Sequence, residues 1–158
     1  MVLILAYGNS LRRDDGAGFV LGGVVERMLC EAGLQVQRID SHQLEPEFAL
    51  DISGDKISAV LFIDTRAVPD TPAGDDLRVH IRRIVPAEDA SPSVGHHLDA
   101  STLLVYARYL FKKDPPAWLI TVPGKDFDHG EGLSGTALEA IRSAPEILSG
   151  LIPLLPVS

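Results

Sequence analysis

Apolar residues recur along the chain with two different periods, and the switches between them predict alternating strands and helices. Residues 2–6 form a short unbroken apolar run, the pattern of a strand buried on both faces of a parallel sheet. Gly8-Asn9-Ser10 breaks it. Over residues 16–31 the period lengthens, with Phe19, Val20, Val24, Met28 and Leu29 returning at steps of three and four. This predicts an amphipathic helix with Asp14 or Asp15 capping its start and Gly33 as its stop. Residues 34–39 alternate as a second strand that ends at Asp40. Residues 44–52 predict a short helix with Pro46 in its first turn. Residues 57–63 are β-branched and apolar, a predicted central strand ending at Asp64. Residues 77–85 alternate with period two, which predicts an antiparallel edge strand with one solvated face. Residues 98–111 predict an amphipathic helix through Leu103, Leu104, Tyr106 and Leu110, and Pro115-Pro116 cannot continue it. Residues 118–122 read as the last strand and residues 135–142 as the last helix, which Pro145 kinks or restarts. The apolar residues 151–157 carry no assignment.

Strands alternating with helices predict an α/β fold in three layers, a mostly parallel five-stranded sheet with helices on both faces. No repeat, low-complexity stretch or linker divides residues 1–158, so one domain is expected. With 46% hydrophobic residues, disorder is excluded as the default. The net charge of −8 favours solubility and argues against a nucleic-acid partner, which needs a basic face. It leaves room for a metal ion or a basic peptide. The single cysteine, Cys30, permits no internal disulfide, and its apolar neighbours at helical spacing read it as an inert buried thiol. The apolar start lacks a basic lead, and no apolar run reaches the length of a membrane span. A cytoplasmic protein with no membrane partner is expected.

In open α/β sheets, ligands bind beyond the carboxyl ends of the strands. Three loops there carry unusual residues. The first strand leads into Gly8-Asn9-Ser10-Leu11-Arg12-Arg13-Asp14-Asp15-Gly16-Ala17-Gly18, the central strand ends at Asp64, and the loop before the third helix supplies His96 and His97. Taken singly, Asp15 reads as a helix cap, Asp64 as a turn residue and the histidines as surface residues. Taken together, two carboxylates and an imidazole make a mixed nitrogen and oxygen site for a borderline ion such as zinc or nickel, with positions left open for substrate or water. A phosphate cradle is disfavoured, because Gly8-Asn9-Ser10 lacks the G-x-G-x-x-G spacing and Asp14 and Asp15 would repel an anion. A serine hydrolase through Ser10 or Ser41 is disfavoured by the lack of a G-x-S-x-G elbow.

Gly8-Asn9-Ser10-Leu11 followed by Asp14-Asp15-Gly16-Ala17-Gly18 resembles the opening signature of the hydrogenase maturation endopeptidases, G-N-x-L-x-x-D-[DE]-G-x-G. The resemblance continues at Ile63-Asp64, at His96-His97-Leu98 ahead of a helix, and at Gly130-Glu131-Gly132-Leu133-Ser134. These anchors span nearly the whole chain in order. The resemblance implies a five-stranded α/β fold and a metal-binding triad of Asp15, Asp64 and His96, with His96 preferred to His97 from the position of Leu98. It also implies an endopeptidase that trims the C-terminus of a nickel–iron hydrogenase large-subunit precursor. The nickel, or another divalent ion in its place, arrives already bound to that substrate. Gly8 and Asn9, at the mouth of the first loop, are the substrate-contacting candidates, with Asn9 either donating to an oxyanion or orienting Asp15. Asp14 is expected to cap the helix or to support the ligands from behind. His129, in the polar loop 125–131, is read as a surface residue. Two alternatives remain from the residues alone: a nickel-checking assembly factor that binds without cutting, and a small-molecule binder or hydrolase on the same fold.

Overall fold

A computed structural model describes residues 1–87 and 98–156. Five strands form one sheet: β1 (Val2–Tyr7), β2 (Val36–Ser41), β3 (Ala59–Ala67), β4 (His80–Ile84) and β5 (Ala117–Gly124). Their spatial order is β2-β1-β3-β5-β4. All neighbours run parallel except β4, which pairs antiparallel with β5 at the edge, as its alternating pattern predicts. Among the described residues, four α-helices cover the sheet: α1 (Ala17–Glu31), α2 (Phe48–Ile52), α3 (Ala100–Phe111) and α4 (Gly135–Leu148). Side chains alternate across each central strand and so feed two separate cores. Val2, Ile4, Ala6, Ala59, Leu61 and Ile63 face α1 and α4. Leu3, Leu5, Val60 and Phe62 face α2 and α3. Burying one such side chain fully contributes about 1.5–3 kcal/mol, and Leu61 and Phe62 are completely covered.

The helix ends follow local chemistry. Asp99 is extended and its side chain accepts from the Thr102 N–H at 2.7 Å, so α3 starts at Ala100 rather than at residue 98. After α1, Gly33 at φ +82° lets the Gly33 and Leu34 N–H groups return to the Cys30 and Leu29 carbonyls, the stop its sequence predicts. Pro145 neither ends nor restarts α4, which runs unbroken to Leu148. The unassigned C-terminal stretch supplies Leu151 and Leu155 to the first core. A 3-10 turn over Gly74–Leu77 occupies the start of the predicted edge strand, which shortens it to five residues.

Three expectations are corrected. The buried face of α1 is Ala17, Gly18, Leu21, Gly22, Val25 and Leu29, while Val20 points outward. Small residues sit against the sheet because they let the helix axis come close, so the bulky apolar stripe marks the flank instead. Cys30 is exposed, because the next helical position after buried Leu29 turns about 100° away from the sheet. No carboxylate caps α1: a 3-10 turn over Arg13–Gly16 precedes it and contains both Asp14 and Asp15. Among the described residues, no helix is long and apolar enough to cross a membrane.

Candidate functional site

The order β2-β1-β3 makes the chain leave β1 in one direction and β3 in the other, and a crevice opens between their carboxyl ends. β3 extends three residues past Asp64, but its pairing with β1 stops at Ile63, so Asp64 faces this opening from within the strand and not from its end. The extension holds because β5 continues beside it to Gly124. On the other side, the loop after β1 carries Asp15. Gly18 brings the two together. A Cβ there would lie 3.3 Å from the Ile63 carbonyl oxygen and 3.4 Å from that of Tyr7, so α1 crosses the strand ends at backbone distance.

Asp15 is held by the loop that presents it. The Asn9 N–H donates to Asp15 Oδ2 at 3.0 Å, and the Asn9 side-chain oxygen accepts from the Leu11 N–H at 2.9 Å. Asn9 thus orients Asp15 through its backbone, while its amide oxygen closes the turn. Gly8 has φ +147°, and a Cβ on it would stand 2.0 Å from the Asp15 carbonyl oxygen. Gly8→Ala should therefore cost at least about 3 kcal/mol, backbone strain plus a clash with an immovable carbonyl. A parental midpoint in urea would refute this.

Asp64 is half-buried and accepts from the Thr65 N–H at 2.7 Å. Burial pushes its pKa up to about 6; the Thr65 bond and the Tyr7 hydroxyl oppose the rise, and the Asp15 charge adds to it. Gly8, packed on Asp15, and Gly18, packed on the Asp64 backbone, bring the loop that carries Asp15 against the strand that carries Asp64. The Tyr7 hydroxyl is itself driven well above its ordinary range by burial first, then by the charge of Asp64.

Asp14 does not cap α1. It is fully buried, with 0% of its surface exposed, and takes hydrogen bonds from the Lys125, Asp126 and Ser134 N–H groups and from the Ser134 hydroxyl, at 2.6–3.0 Å. Burial would raise its pKa, but these donors outweigh it and hold the carboxyl below the usual range. The Asp14 N–H returns a bond to the Asp126 carbonyl, and Gly130 bridges to residues 11–13. Asp14 thus fastens loop 125–134 onto the loop carrying Asp15, and Ser134 passes the connection on by capping α4. His129 is exposed on this loop.

His96 and His97 lie outside the described residues. Leu98 packs against the second core, on the face of the sheet to which Asp64 projects, and the charge of the following Asp99 acts on Tyr7. Among the described residues, no three metal-ligating side chains form a cluster. Next to Asp15, a cleft of about 520 Å³ is lined by Gly8, Asn9, Ser10, Leu11, Phe19, Asp40, Ser41 and His42. Arg38 braces its wall, bonding Asp40, the Phe19 carbonyl and Glu26. Ser10 and Ser41 line the cleft, and among the described residues no hydrogen bond joins either side chain to a histidine or carboxylate.

No family model matches this sequence, and no curated protein matches it. Solved structures do. The hydrogenase maturating endopeptidase HybD of E. coli aligns over 95% of this chain and 91% of its own, with TM-score 0.65 and 20% identity. The [NiFe] hydrogenase maturation proteases HybD and HycI of Thermococcus kodakarensis cover 96% of this chain each. Their TM-scores are 0.55 and 0.60, their identities 25% and 18%, and the alignments span 98% and 92% of their lengths. The chain has the fold of the hydrogenase maturation endopeptidases. Within that fold, Asp15 and Asp64 flank the crevice where the strand order reverses. Tyr7 and the Asp14 fastening could not be seen from sequence: Tyr7 reads as an ordinary strand end, and the partners of Asp14 lie 111–120 residues away.

Proposed function

We propose that this protein is an endopeptidase that removes the C-terminal extension of a nickel-loaded hydrogenase large-subunit precursor. The reading is carried by one observation: Asp15 and Asp64 flank the crevice at the switch point of a fold shared, over nearly the whole chain, with hydrogenase maturation endopeptidases. Asp15, Asp64 and His96 grip the nickel ion that the substrate brings. Two carboxylates and one imidazole suit a borderline divalent ion and leave coordination positions for the substrate's own ligands and for the scissile carbonyl or a water. The ion polarises that carbonyl or delivers the attacking water. Gly8 and Asn9 contact the substrate where the cleft beside Asp15 offers room for the chain flanking the cut. His96 is favoured over His97, and the packing of Leu98 on the face of the sheet to which Asp64 projects supports a histidine from this segment as third ligand.

The test is intact-mass measurement of a nickel-loaded precursor and a nickel-free control after incubation with the protein. Loss of one C-terminal peptide from the loaded sample alone is expected. Under the same assay His96→Ala should abolish cleavage and His97→Ala should retain it; the reverse would move the ligand to His97. An intact loaded precursor that nevertheless co-purifies with the protein would replace the endopeptidase by an assembly factor that inspects nickel without cutting.

A further inference from the structure

Tyr7 stands at the most sensitive point of the site and has no part in the chemistry so far. It is the last residue of β1, one step beyond the Ala6–Ile63 pair, so it lies beside Asp64 on the neighbouring strand. Paired residues of parallel strands project to the same face of the sheet. One row of side chains therefore crosses that face through Ser41, Tyr7, Asp64, Thr121 and His80. Gly18 fixes the pair from the opposite face, because α1 touches the Tyr7 carbonyl and the Asp64 backbone at once. The Tyr7 ring packs against the second core, on the face to which Asp64 projects, and the charges that act on its hydroxyl are those of Asp64, Asp99 and Arg82.

We propose that Tyr7 is a positioning residue: its phenol donates a hydrogen bond to the Asp64 carboxylate and sets the angle at which that carboxylate meets the substrate's metal. The inference rests on the endopeptidase reading. Asp64 already accepts from its neighbour Thr65 through Oδ1, which leaves the carboxylate plane free to swing. A second donor from the adjacent strand fixes that plane. A phenol suits the task, because its two side-chain torsions are locked by the packed ring and its single proton has a defined direction. Partners of this kind, standing behind a metal ligand, are typically worth about 10- to 100-fold.

The test pairs Tyr7→Phe with the parent protein on the nickel-loaded precursor. The variant keeps the ring and its packing, so its melting temperature should stay close to the parent's. Its kcat is expected to fall roughly 10- to 100-fold with KM little changed. A purely structural role would move the melting temperature and leave kcat per folded molecule alone. A second measurement does not depend on turnover. In protein labelled with 13C at the tyrosine ring carbon bearing the hydroxyl, Asp64→Asn should shift the Tyr7 signal and leave those of Tyr106 and Tyr109 in place. Equal kcat in parent and Tyr7→Phe, with both cutting, overturns the role of Tyr7 and leaves the endopeptidase standing. Failure of the parent to cut overturns the endopeptidase, and the labelled signal then decides the contact. An unmoved Tyr7 signal overturns that as well, whereas a moved one upholds Tyr7 as the partner that orients Asp64.

Discussion

Asp64→Asn should lose cleavage of the nickel-loaded precursor by more than about 100-fold, because the role proposed for Asp64 is that of a metal ligand, which is worth at least as much as the groups that support it. The same variant should melt higher than the parent at pH 7. Burial holds the folded carboxyl at about 6, above the ordinary value of ~3.9 for an unfolded chain. The folded state therefore binds more protons than the unfolded state between these values, and folding loses stability as pH rises through that window. Above about pH 6 the penalty is complete, and below about pH 4 it is absent. The asparagine carries no charge to desolvate and can still accept from Thr65. Its stability gain should be about 1–3 kcal/mol at pH 7 and should vanish near pH 4. Urea unfolding at the two pH values checks this. A variant no more stable than the parent at pH 7 would mean that Asp64 is not strained by its surroundings. A gain in stability with loss of function at one position is what a residue kept for chemistry should show.

The opposite sign is expected at the neighbouring carboxylate of the first loop. Asp14→Ala should destabilise the fold by about 3–5 kcal/mol, since it leaves buried donors of Lys125, Asp126 and Ser134 without an acceptor. For a chain of this size that is a fall in melting temperature of roughly 6–20 °C. The contribution of Asp14 is present above the ordinary carboxylate range, because its folded pKa is depressed, and it is lost as pH falls through that depressed value. The difference between parent and variant should therefore persist through neutral pH and close only in acid. A melting temperature within 2 °C or so of the parent would remove Asp14 from the fastening. Cleavage by the folded fraction should also fall, because the loop that aims Asp15 loses its anchor.

Much of this arrangement was legible in the sequence, for identifiable reasons. The strands announce themselves because a two-sided sheet demands unbroken apolar runs, and the antiparallel edge because a half-solvated strand alternates. Asp15 and Asp64 could be picked out because each lies just beyond an apolar run, in the part of the chain that topology turns toward the crevice, although the sequence did not show that β3 continues past Asp64. The features that escaped depend on contacts between distant residues. Asp14 looks like a helix cap until its donors, more than a hundred residues away, are folded onto it. Tyr7 looks like the end of a strand until the register sets it beside Asp64. On α1 the apolar periodicity marks Leu29 and the flanking Phe19, Val24 and Met28, whereas the buried Ala17, Gly18 and Gly22 leave no hydrophobic signal. The exposure of Cys30 is hidden from the sequence because one helical step separates a covered position from an open one.

The antiparallel strand β4 has one further consequence, for self-association. A sheet that ends in an unpaired strand offers its backbone to any passing chain. Here that strand is only five residues long, and its exposed positions are Arg82 and Arg83, the latter resting over the Trp118 ring at 4.5 Å. Two adjacent positive charges point to opposite faces of the strand, so a second copy approaching edge to edge would bring like charges together on both sides. Repulsion between these arginines would oppose open-ended stacking of the sheet through this edge into fibrils.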